Sequence, residues 1–120
     1  MKILIVEDES IQAMNTMRQL VSMGHEVTGV IKSGDMAFIK IEEKLPDLVL
    51  MDIKLHGPLT GIDITRIINE KYDIPVIYVT AYAYDDTLEQ IKNTQYSGII
   101  SKPFDPYQLK EAIEKWGTIH

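Results

Sequence analysis

The sequence predicts an α/β fold, a doubly wound parallel five-stranded sheet of (βα)₅ type, and three observations predict it. Short apolar runs alternate with amphipathic segments along the whole chain. The runs are continuous rather than alternating, as in Leu48-Val49-Leu50-Met51, which is the pattern of strands buried on both faces of a parallel sheet. Four of them end at polar residues, which offers carboxylates, a hydroxyl and an ammonium at the same end of successive strands: residues 3–6 stop at Glu7 and Asp8, 48–51 at Asp52, 76–79 at Thr80, and 99–101 at Lys102, which precedes Pro103.

In chain order, the first run follows Met1-Lys2 directly. A first helix is marked by Ile11, Met14, Met17 and Val21 and stops near Gly24. Residues 27–31, with Gly29 in the middle, make a second strand that adds nothing to the polar set, which suits an outer position. Met36, Ile39 and Ile41 mark a second helix that stops before Pro46, and Ile64, Ile67, Ile68 and Tyr72 a third that stops before Pro75. Segment 84–93 offers only Leu88 and Ile91 as an apolar stripe, so its helix is expected to be the least firmly packed. Leu109, Ala112, Ile113 and Trp116 form the cleanest stripe, and Asp105-Pro106 starts that helix. Right-handed crossovers leave few topologies for such a chain. Strand order 2-1-3-4-5, in a three-layer sandwich, places the ends of the first and third strands side by side at the switch point where such sheets bind ligands.

Composition narrows the function. With 120 residues, 45% hydrophobic and 25% charged, the chain is the size of one globular domain. It has no cysteine, which removes disulfides, thiolate metal sites and thiol nucleophiles. A net charge of −6 disfavours nucleic acid and anionic membranes as direct partners. No apolar run is long enough for a signal peptide or a membrane span, so the expected location is the cytoplasm.

Glu7, Asp8 and Asp52 are expected to converge. Carboxylates a few ångströms apart repel by roughly 1–3 kcal/mol at an effective dielectric near 20. Such a cluster persists where a cation occupies it or one acid holds a proton. Mg²⁺ suits it, taking few carboxylates, several waters and phosphate oxygens. Glu9 reads instead as an acid at a helix start. Asp52, at the end of a central strand, is a competent phosphoryl acceptor. Lys102 supplies positive charge and Thr80 a hydroxyl for the phosphoryl oxygens. On this reading, replacing Asp8 by Asn is expected to relieve repulsion and raise the metal-free melting temperature.

The set Val6-Glu7-Asp8-Glu9, Leu50-Met51-Asp52-Ile53, Val79-Thr80-Ala81 and Ser101-Lys102-Pro103-Phe104 resembles the receiver domain of two-component response regulators, over nearly the whole chain. The resemblance implies a flavodoxin-like fold and one receiver domain over 1–120, with no effector domain in this sequence. It implies that Asp52 accepts phosphate from a histidine kinase or phosphotransfer protein and signals to a downstream protein. It implies Mg²⁺, with Mn²⁺ as a substitute, on Asp8, Asp52 and the main-chain carbonyl of Lys54, with Glu7 acting through water. It implies a cis peptide before Pro103, and phosphoryl contacts from Thr80 and Lys102. Any chemistry is limited to slow self-phosphorylation and autodephosphorylation.

The sequence departs from the family at four places. Ile99 stands where the switch aromatic is usual, so the signal is expected to run through residues 82–93. The 56–61 loop is one residue longer than usual, and His56 replaces a common Pro; it reads as a solvated loop residue, because Mg²⁺ prefers oxygen. Tyr82 and Lys54 are expected to crowd the path of hydrolytic water and lengthen the life of the phosphoryl group. Tyr82, Tyr84 and Tyr107 could offer a partner surface, and the 84–116 face a weak dimer contact for an otherwise monomeric chain. The rival readings are a metal-dependent phosphohydrolase with an Asp nucleophile, a flavodoxin-like flavin protein, and a receiver that docks without phosphorylation. A phosphohydrolase would carry an acid where Lys54 stands, and Glu7-Asp8-Glu9 would repel a flavin phosphate.

Overall fold

A computed structural model describes residues 1–81 and 86–117. The elements alternate: β1 (Lys2–Val6), α1 (Ser10–Ser22), β2 (Glu26–Ile31), α2 (Gly34–Glu43), β3 (Leu48–Asp52), α3 (Gly61–Lys71), β4 (Val76–Thr80), α4 (Asp86–Ile91), β5 (Gly98–Ser101) and α5 (Pro106–Trp116). The strands pair in parallel in the predicted order, β2-β1-β3-β4-β5. Register carries the strand ends to one edge: Val6 pairs with Met51, Asp52 with Val79, and Thr80 with Ser101.

Because side chains alternate across a strand, each continuous apolar run feeds two cores. Leu4, Val6, Val49, Met51, Val76 and Tyr78 face α2, α3 and α4. Ile3, Ile5, Leu48, Leu50, Ile77 and Val79 face α1 and α5. Two helices start with reciprocal caps. Thr60 accepts from the Asp63 N–H at 3.2 Å while Asp63 accepts from the Thr60 N–H at 3.0 Å. Asp105 and Gln108 do the same, both at 2.8 Å, with Pro106 in the first turn. Among the described helices, none is long and apolar enough to cross a membrane.

The stripes expected on α3 and α5 are the buried ones: Ile64 and Ile68 on the first, Leu109, Ala112 and Ile113 on the second. Of those expected on α1 and α2, only Ile41 is buried. Ile11 is 79% exposed and Val21 58%, and Met14, Met36 and Ile39 are also exposed. The sheet is met on α1 by Ala13 and Leu20, with the expected Met17 at the margin, and on α2 by Gly34 and Ala37 beside the expected Ile41. Each helix carries two apolar stripes, and its small residues let the backbone approach the strands. Bulk apolar periodicity therefore pointed about a quarter turn away on α1. α4 is the shortest helix described, at 6 residues, and its last residue, Ile91, is fully buried. Tyr78, with no exposed surface, holds the segment after α4, its hydroxyl 2.8 Å from the Thr94 hydroxyl. Tyr82 and Tyr84 lie outside the described residues.

Gly61 sits where α3 begins against the end of β3. Its N–H donates to the Ile53 carbonyl at 2.9 Å, and a Cβ added there would lie 2.0 Å from the Asp52 main-chain oxygen. No rotamer relieves a clash with backbone. Gly61→Ala is therefore expected to lower stability by about 3 kcal/mol or more, read as an earlier urea midpoint. An unchanged midpoint would mean that this end of β3 shifts freely.

Candidate functional site

The ends of four strands build the site. Glu7 and Asp8 follow β1, Asp52 closes β3, Thr80 closes β4, and Lys102 follows β5. Glu7, Asp52 and Thr80 are buried, and the Asp8 and Lys102 side chains keep only about a tenth of their surface. The Lys102–Pro103 peptide is cis. Lys102 Nζ donates to Glu7 Oε1 at 2.6 Å and lies 3.5 Å from Asp52 Oδ2. Glu7, Asp8 and Asp52 each offer an oxygen, and the three lie within 4.8 Å of one another. Asp8, Asp52, Lys54, Thr80 and Lys102 line one cavity of about 430 Å³, together with Leu55, His56 and Ala81.

The local chain explains the aim of each acid. The Lys54 N–H reaches Asp52 Oδ1 at 3.3 Å and the Glu9 N–H reaches Glu7 Oε2 at 3.3 Å, so each loop turns back on the carboxylate that precedes it. His56, four residues past Asp52, donates its N–H to Asp8 Oδ2 at 2.7 Å, and its imidazole Nδ1 touches the same oxygen.

The acids have different electrostatic fates. Burial pushes the Asp52 carboxyl up to about 7, a hydrogen bond and repulsion from Glu7 add to the rise, and Lys102 partly opposes it. Burial also raises Asp8, but the His56 N–H and imidazole outweigh it, leaving Asp8 below the ordinary carboxylate range. This works against the stabilisation expected of Asp8→Asn: Asp8 is held as an anion by His56, while the repulsion from Glu7 falls on Asp52, where Lys102 partly offsets it.

Thus the site residues expected from the sequence converge, with two exceptions. Ile99 pairs with Tyr78 and packs against the core, lining a separate surface cleft with Trp116. Tyr82 lies outside the described residues. His56, read from the sequence as a solvated loop residue, exposes its ring as expected, but its contact with Asp8 was not foreseen. Its nearness to Asp52 in the chain was the only available signal, because the contact with Asp8 depends on how the long loop folds back.

An acidic cluster with a mostly buried lysine thus lies at the carboxyl edge of a doubly wound sheet, where such sheets bind ligands. Comparisons with known proteins identify the family. The model of the response regulator receiver domain matches residues 3–114, and the chain belongs to that family. Over 115 residues it is 32% identical to the phyllosphere-induced regulator PhyR of Methylorubrum extorquens, covering 95% of this chain and 42% of that one. The chain spans about half the length of the curated relatives it matches. Among solved structures, the receiver domain of a modulated diguanylate cyclase from Desulfovibrio desulfuricans superposes with a TM-score of 0.88 at 30% identity, covering 96% of this chain and 91% of that one. The receiver domain of the sensor histidine kinase PA1611 from Pseudomonas aeruginosa, which holds a magnesium ion in its active-site cleft, superposes with a TM-score of 0.86 at 28% identity, covering 97% and 96%.

Proposed function

We propose that this receiver domain is a phosphoacceptor switch: Asp52 takes a phosphoryl group from a phosphohistidine of a histidine kinase or phosphotransfer protein, and a downstream protein reads the altered surface. The observation that carries the reading is the Asp52 carboxylate, buried at the end of a central strand in a cavity of about 430 Å³, with Lys102 Nζ at 3.5 Å and the oxygens of Glu7 and Asp8 beside it. The donor set is all oxygen, which fits Mg²⁺, with Mn²⁺ as a substitute: Asp8 and Asp52 would ligate directly, Glu7 through water, and Lys54 through its carbonyl. When bound, the ion supplies positive charge against both the carboxylates and the phosphoryl oxygens.

The protein's own groups do the rest. An Asp52 Oδ forms the new O–P bond as the P–N bond of the phosphohistidine breaks, and the electron pair returns to the departing imidazole. Lys102, now on Glu7 at 2.6 Å, needs only a short movement to meet a phosphoryl oxygen. The Thr80 hydroxyl donates to another and is drawn toward it. Because Ile99 is stiff at χ1 and lacks a polar tip, the consequence passes through the segment after Thr80 rather than through position 99. Lys54, which lines the cavity, slows the approach of hydrolytic water. The domain thus turns itself over slowly and is not an enzyme acting on other substrates.

Mass spectrometry after incubation with acetyl phosphate and Mg²⁺ tests the proposal. A single phosphoryl addition is expected on Asp52, absent in Asp52→Asn and absent in EDTA. Addition on a Ser, Thr or His, or labelling that survives EDTA, would overturn it.

A further inference from the structure

Among the described residues, the buried polar side chains are Glu7, Asp52 and Thr80, already placed at the site, and Thr65 and Thr94, which are not part of it. Thr65 and Thr94 both act on the hydroxyl of Tyr78, whose side chain has no exposed surface. Burial holds that phenol above the ordinary tyrosine range, against the opposing pull of the two hydroxyls, so it stays a proton donor. Thr94 donates its own proton to the Ile91 carbonyl at 2.7 Å, and Thr65 donates its proton to the Gly61 carbonyl at 2.8 Å. The Tyr78 hydroxyl is therefore the donor in its 2.8 Å bond to Thr94.

That bond reaches a segment tied to the elements around it. Asn69 of α3 donates to the Gln95 carbonyl at 3.1 Å and accepts from the Gln95 N–H at 2.7 Å. The Ser97 N–H donates to the Val76 carbonyl at 2.8 Å, and the Tyr96 ring lies 5.5 Å from that of Tyr78. Tyr78 stands two residues before Thr80, so both side chains leave β4 on the same face. It also pairs with Ile99, the position that lacks a switch aromatic. The ring is thus one strand over, and turning it would strip a buried hydroxyl of its partner.

We propose that Tyr78 is a positioning residue of the switch: its hydroxyl pins Thr94, so that a displacement starting at Thr80 enters α4 from its first turn and stops at a fixed pivot in residues 94–97. The inference rests on the phosphoacceptor reading given under Proposed function and adds where the movement ends. A ring free to turn would carry the change on toward β5. A pinned ring on β4 keeps the α4–β5 connection still and confines the altered surface to the start of α4.

Hydrogen exchange of the full chain in Mg²⁺, with and without beryllofluoride as a stand-in for the phosphoryl group on Asp52, tests the pivot. In the parent, rates between Thr80 and Gln90 should change and those at 94–97 should not. Tyr78→Phe keeps the ring and removes the pin. At 94–97 its rates with and without beryllofluoride should then differ by about tenfold. Thr94→Val removes the acceptor from the other side and should do the same. A purely structural role would speed exchange equally in both states and leave no such difference. Neither residue lines the cavity of Asp52, so both variants should still take one phosphoryl group there. A beryllofluoride response at 94–97 in the parent overturns the pivot and leaves Asp52 as the acceptor. The lack of a response at 94–97 in Tyr78→Phe or Thr94→Val does the same. If neither beryllofluoride nor acetyl phosphate modifies Asp52 in the parent, the phosphoacceptor reading itself fails, and this inference with it.

Discussion

Asp52→Asn should make the metal-free protein more stable at neutral pH, by on the order of 2 kcal/mol. The direction follows from the raised acid. Its carboxyl titrates near 7 in the fold, against an ordinary value of 3.8. Below the ordinary value both folded and unfolded chains hold the proton, and the fold is not penalised. Between the two values the folded chain keeps a proton that the unfolded chain has released, so stability falls as pH rises. Above about 7 the full penalty applies, because folding then buries an anion beside Glu7. Asn removes that anion and can still donate to Glu7. A rise of about 8 °C in melting temperature at pH 7.5 is the scale for a domain of this size. The variant should also lose the downward slope between pH 4 and 7 that Asp52 contributes, and most of the upward shift with Mg²⁺. Thermal melts across pH check this. A variant less stable than the parent at pH 7.5, with the slope intact, would show that Asp52 and Glu7 do not repel as their geometry implies.

The same site shows what a sequence discloses and what it withholds. Continuous apolar runs can be buried on both faces in only a few ways, and the polar residues at their ends share one edge in any parallel sheet. Asp52, Thr80 and Lys102 were therefore legible as neighbours although they come from three different strands. The helix faces were legible only where one apolar stripe exists, as on α5. On α1 and α2 two stripes compete, and the choice is made by Ala13, Gly34 and Ala37, whose small size matters only once a sheet lies beneath them. The division of charge was withheld as well. Three clustered acids look alike in a sequence, and the loop that carries the His56 N–H to Asp8 decides which of them the protein stabilises as an anion. Gly61 belongs to the same class of information: the need for glycine comes from the Asp52 carbonyl, which lies beside it only in the folded chain.

Lys102→Met should be the most damaging change within the site. The ammonium lies 2.6 Å from Glu7 and 3.5 Å from Asp52, on a side chain only 11% exposed. Methionine keeps most of the packing of the stem, so the variant isolates the charge. Removing one partner of a buried ion pair costs about 3–5 kcal/mol, because the other charge stays behind without compensation. Here two carboxylates stay behind, and Asp52, already raised to about 7, escapes the cost by taking a proton. The loss should therefore depend on pH, with about 3 kcal/mol missing at pH 8 and much less near pH 5. The sign is that of a further rise in carboxylate pKa: the folded chain binds more protons than the unfolded one, and stability declines more steeply as pH increases. Adding Asp52→Asn to Lys102→Met should recover part of the loss, since one of the two stranded anions is then gone. Mg²⁺ should recover part of it in Lys102→Met alone, because the ion offsets the same carboxylates. Urea melts at the two pH values, with and without Mg²⁺, measure all of these effects. An equal loss at pH 5 and pH 8, unaffected by Mg²⁺ or by Asp52→Asn, would mean that Lys102 serves the fold through its methylene stem, and that its ammonium does not compensate the acids around it.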